Sequence, residues 1–112
     1  MGGYSVTVRR GPKVERSRFE DLASALDAIE QQGRALENDA DAPALGGDLF
    51  RRFTPVQRVV ARLELSGAAR LQAGIDVRGD GSSEAWTGRV RRRVVHQRAE
   101  ESAYDALRRA VA

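Results

Sequence analysis

Two alternating stretches joined by four residues constrain this chain of 112 residues more than anything else in it. In RVVARLEL, Val59, Ala61, Leu63 and Leu65 fall on one face, and Arg58, Val60, Arg62 and Glu64 on the other. In RLQAGIDVR, Leu71, Ala73, Ile75 and Val77 alternate with Arg70, Gln72, Gly74, Asp76 and Arg78. Strict alternation is the pattern of a strand with one buried and one wet face. The SGAA link is too short for a crossover, so the two runs must pair as an antiparallel hairpin.

A third run follows the turn GDGSS. EAWTGRVRRRVVHQR, from Glu84 to Arg98, reads as one long strand, with Trp86, Gly88, Val90 and Val94 inward and Thr87, Arg89, Arg91 and Arg93 outward. Strict alternation would bury Arg92 and His96, which calls for a bulge or a strong bend near Arg92. At the N-terminus, YSVTVRR alternates as a strand, RRGPKV is a turn signal, and KVERSRF predicts a second, weaker strand. DLASALDAIEQQGRALEN predicts a helix with Leu22, Leu26, Ile29 and Leu36 on one stripe and Asp21 as N-cap. EESAYDALRRAVA predicts a second helix with Ala103, Tyr104, Leu107 and Val111 on its apolar face. Residues 38–53, with Pro43 and Gly46–Gly47, read as a long irregular loop whose end Phe50 and Phe53 would pin to the core.

The order is therefore β(β)–α–β–β–β–α in a single domain over residues 1–112. Two amphipathic helices and an antiparallel sheet imply the α+β class: a two-layer sandwich of four to five strands with both helices on one face. The expected core is Val59, Ala61, Leu63, Leu65, Leu71, Ala73, Ile75, Val77, Trp86 and Val90 from the sheet. Leu22, Leu26, Ile29, Tyr104 and Leu107 join it from the helices.

If the helices cover one face, the other is an arginine face. Arg58, Arg62, Arg70, Arg89, Arg91 and Arg93 are the candidate binding residues there, with Arg78 beside them. Guanidinium groups clustered on one face are the electrostatic footprint of phosphate recognition. The competing expectation is cross-strand pairing, with Glu64, Asp76 and Glu84 laddered against these arginines. With Trp86 and Tyr4 expected in the core, the sheet offers no exposed aromatics. Any nucleic-acid contact is then backbone-directed and weakly sequence-specific.

Charge supports both views. Residues 20–50 sum to −7, between +4 over residues 1–19 and +7 over residues 51–98. An acidic segment between two basic ones suits an anionic partner, RNA or DNA, or, with no nucleic-acid role, a second copy of the chain meeting it acid to base or another protein. The bases are Arg eighteen times and Lys once. Catalytic chemistry is not expected. His96 is the sole histidine, cysteine is absent, and no nucleophile elbow or phosphate-loop motif occurs. The RGDGSS run, Arg78 to Ser83, reads as a hairpin turn. Asp39, Asp41 and Asp48 have no calcium-loop spacing, so neither metal nor cofactor is expected. No apolar run spans a bilayer and no signal-peptide h-region opens the chain, which points to a cytoplasmic protein with no membrane partner.

Overall fold

Four of the five strand pairings join strands that are neighbours in sequence, and the fifth closes the sheet across a helix. A computed structural model describes residues 3–41 and 58–112. Its elements are β1 (Tyr4–Arg10), β2 (Lys13–Phe19), α1 (Leu22–Asp41), β3 (Val59–Gly67), β4 (Gln72–Arg78), β5 (Ser83–Thr87), β6 (Arg93–Val95) and α2 (Ala103–Val111). The sheet order is β2-β1-β3-β4-β5-β6, antiparallel throughout. The α+β class and the antiparallel sheet are as the alternation predicts, and the weak KVERSRF run is indeed a strand. The count is six, not four to five, because the run from Glu84 to Arg98 is two strands.

The core lies between the sheet and the two helices. Val6, Leu63, Leu65, Ile75 and Val77 from the sheet meet Ile29 of α1 and Leu107 of α2, each no more than 1% exposed. Each such side chain contributes about 1.5–3 kcal/mol by leaving water. Helix α1 starts where the Asp21 carboxylate accepts the Ser24 N–H at 2.7 Å, satisfying an otherwise orphan donor. Helix α2 starts with a capping box. Ser102 Oγ accepts the Asp105 N–H and the Asp105 carboxylate accepts the Ser102 N–H, both at 3.1 Å.

The helices lock together through Gly33, Tyr104 and an ion-pair cluster. Arg108 of α2 reaches Asp27 at 2.8 Å and Glu30 at 2.5 Å, and Arg34 takes the other Glu30 oxygen at 2.7 Å. The Arg108 guanidinium, then that of Arg34, holds the Glu30 carboxyl below its ordinary range. The Tyr104 ring sits directly on Gly33, and its hydroxyl donates to Glu37 at 2.7 Å. A Cβ at position 33 would come within 2.7 Å of Tyr104 Cε1 and closer still to its hydroxyl. Gly33→Ala would add ~1 kcal/mol of helix propensity. Pushing the ring out of a packed site costs roughly 1–3 kcal/mol. The net expectation is a lower urea midpoint; a raised one would show that the ring yields freely.

Five expectations need correction. The chain reverses within the arginine run: Gly88, at φ +117°, cannot continue the strand, and residues 88–92 form a loop before β6 pairs back on β5. Val90, expected inside, lies on that loop and is 95% exposed. Trp86 is buried, at 3% exposed, but on the face away from the helices. Its partners Gly74 and Val94 continue the row of Glu64 and Thr7, while Ala85 faces the core. Fourth, α1 runs through Asp41, so residues 38–41 are helical and not loop; Asp39 takes part by accepting from Arg10 at 3.2 Å. The rest of that loop, with Pro43, Asp48, Phe50 and Phe53, lies outside the described residues. Val59 is only half-buried, because the β3–β4 register shifts between Val59 and Ala61.

Candidate functional site

The face opposite the helices is built in rows. One runs Arg16, Thr7, Glu64, Gly74, Trp86, Val94, and the next runs Val14, Arg9, Arg62, Asp76, Glu84. Opposite charges meet along and between these rows. Arg9 Nε donates to Glu64 at 2.6 Å, and Arg78 to Glu84 at 2.6 Å. Arg62 grips Asp76 with two bonds, 2.7 and 3.1 Å, and that carboxylate holds the Arg62 guanidinium above its ordinary pKa. Asp76 also accepts the Trp86 indole N–H at 3.1 Å. Arg9, Arg62 and Arg78 are therefore committed to the sheet. Their guanidiniums pair across strands rather than standing free for a ligand.

The arginines of the β5–β6 connection behave differently. Arg89, Arg91, Arg92 and Arg93 are all exposed, and no carboxylate lies within ion-pair distance of any of them among the described residues. Arg92 folds back over the indole of Trp86, its guanidinium carbon 4.2 Å from the ring centroid. The loop is anchored at its base. The Gly88 N–H donates to the Gln72 carbonyl at 2.9 Å, and a Cβ on Gly88 would strike the Arg91 carbonyl.

The six candidate arginines separate into three groups. Arg89, Arg91 and Arg93 sit on the loop and its exit, although Arg93 pairs with Thr87 in the row of Ala73, on the helix side of the sheet, and not outward as the alternation predicts. Arg70 stands near them. It lies at the tight β3–β4 turn, with Ala69 and Arg70 at φ 57° and 60°, immediately before the strand end that anchors Gly88. Arg62 is on the same sheet but ion-paired. Arg58 is at the opposite end, where its carbonyl accepts the Gly79 N–H at 2.9 Å. Four of the six thus lie at one end of the sheet rather than across its face. Two residues escaped sequence reasoning, Arg92 and Trp86. The available signal was Gly74, an outward position with no side chain, opposite a tryptophan that needs space to lie flat.

His96 follows β6, exposed, its carbonyl accepting Arg109 Nη2 at 2.9 Å. Beside it Glu101 staples the chain between β6 and α2. It accepts two Arg109 nitrogens at 2.9 Å and the Arg98 N–H at 2.7 Å. The Arg109 guanidinium, then the Arg98 amide, pull its carboxyl from 4.5 to about 2. A group depressed on folding stabilises the fold above its unfolded pKa and loses that effect as pH falls through the folded value. The Arg98 amide resonance should therefore titrate with a midpoint near 2, well below 4.5, as the staple opens. A midpoint near 4.5 would show that the staple does not persist in solution.

No family model, curated protein or solved structure matches this chain. Among the described residues, no helix is long and apolar enough to cross a membrane. No group of three or more His, Cys, Asp or Glu side chains among them could hold a metal ion.

Proposed function

We propose that this chain is a nucleic-acid-binding module that grips the phosphate backbone through the Gly88–Arg92 loop, acting by binding and not by catalysis. One observation carries the reading: Arg89, Arg91 and Arg92 on the loop and Arg93 at the start of β6 are exposed with no carboxylate partner among the described residues, while Arg9, Arg62 and Arg78 each have one. Four positive charges within five residues of chain raise the local potential, which an anionic polymer relieves. Arg70 extends the basic end. The interface proposed here is narrower than the whole arginine face, and Arg58 and Arg62 fall outside it.

Self-association, acidic helix to basic sheet, is the competing function. It draws less support, because Asp27 and Glu30 of α1 are already taken by Arg108 and Arg34 within the chain. A low-salt anisotropy titration with a generic labelled oligonucleotide, run beside mass measurement over a range of protein concentrations, separates the two. Saturable binding by a monomer is expected. An oligomer whose mass rises with concentration and that ignores the oligonucleotide would overturn the proposal.

A further inference from the structure

The pairing of Arg92 with Trp86 says more about which nucleic acid fits. The indole lies on the open side of the sheet across Gly74, where a Cβ would stand 2.6 Å from Trp86 Cζ2, and the Asp76 carboxylate fixes its N–H at 3.1 Å. Arg92 stacks on the ring at 4.2 Å and is itself exposed, so one side of its guanidinium rests on the indole while the residue still meets solvent. A guanidinium plane is a stacking surface for an unpaired base, and one already held on an aromatic ring loses less freedom when the base arrives. Arg89, Arg91 and Arg93, its neighbours in the chain, would supply the phosphate contacts. A duplex hides its base faces and cannot use such a platform.

We infer that the loop selects single-stranded nucleic acid, with one unpaired base stacked on Arg92 over Trp86. This rests on the phosphate-binding function proposed above and adds the base contact to it. Trp86 is the chain's one tryptophan, so its emission reports the site directly.

The test titrates the protein with an oligothymidine, with an abasic oligomer of the same length and charge, and with a matched duplex, following Trp86 emission and anisotropy. Stacking of one base is worth at least about fivefold in affinity. Oligothymidine should therefore bind at least about fivefold more tightly than the abasic strand and change Trp86 emission. Arg92→Lys, which keeps the charge but not the plane, should erase that advantage, so that oligothymidine and the abasic strand bind alike. Equal binding of oligothymidine and the abasic strand by the unaltered protein would overturn the stacking inference and leave phosphate binding standing. Failure of all three probes to bind would instead remove the proposed function itself.

Discussion

Gly74→Val is expected to destabilise the protein by about 4–6 kcal/mol, a large share of a small domain's total. Position 74 is central in the sheet, and its Cβ would meet the Leu63 carbonyl on one neighbouring strand and the Trp86 ring on the other. Overpacking of this kind costs roughly 1–3 kcal/mol by itself. Dislodging Trp86 adds lost burial of about 2 kcal/mol. The broken N–H bond to Asp76 costs about another 1 kcal/mol. The urea midpoint should drop and Trp86 emission should shift red in the folded state. A loss under about 1 kcal/mol would mean that the indole does not lie across Gly74.

The same position explains what sequence could and could not disclose. Alternation in Val59–Leu65 and Leu71–Val77 placed Leu63, Leu65, Ile75 and Val77 on the buried face, because a two-residue period leaves no other register once one face is dry. It failed in the arginine run. The five-residue connection carries no Asn-Gly or Asp-Gly signal, and Val90 continues an apparent alternation. Trp86 was misplaced for a related reason. Alternation with Val90 and Val94 put it in the core, whereas it is buried outside the core by a partner with no side chain. Tyr4 over Gly67 and Tyr104 over Gly33 repeat the arrangement, with a ring within 3 Å of where each glycine's Cβ would be. Aromatic–glycine complementarity of this kind joins residues far apart in sequence, so hydrophobic period alone does not reveal it. The ion pairs also divided the arginines into two populations, and only strand register shows which ones face a carboxylate.

The second large effect concerns binding. Replacing Arg89, Arg91 and Arg93 together by alanine should weaken oligonucleotide affinity about a hundredfold or more at low salt, taking roughly 1 kcal/mol or more for each charge-assisted phosphate contact. The loss should be similar across sequences, since phosphates carry no base information. Stability should stay within about 0.5 kcal/mol, because the three side chains are exposed and make no ion pair among the described residues. Replacing Arg62 should do the reverse. It breaks the double bond to Asp76 within the sheet, lowering stability with little change in affinity. Similar losses of affinity from both variants would return the site to the whole sheet face.

The most direct test of the account is the salt dependence of binding to a single-stranded oligonucleotide. Each phosphate neutralised on a single strand contributes about 0.7 to the slope of log K against log salt. The three arginines assigned to phosphates, Arg89, Arg91 and Arg93, should give a slope of about −2, and the triple variant should remove most of it. A slope near zero in the unaltered protein, or one that the triple variant leaves unchanged, would contradict phosphate binding by the Gly88–Arg92 loop.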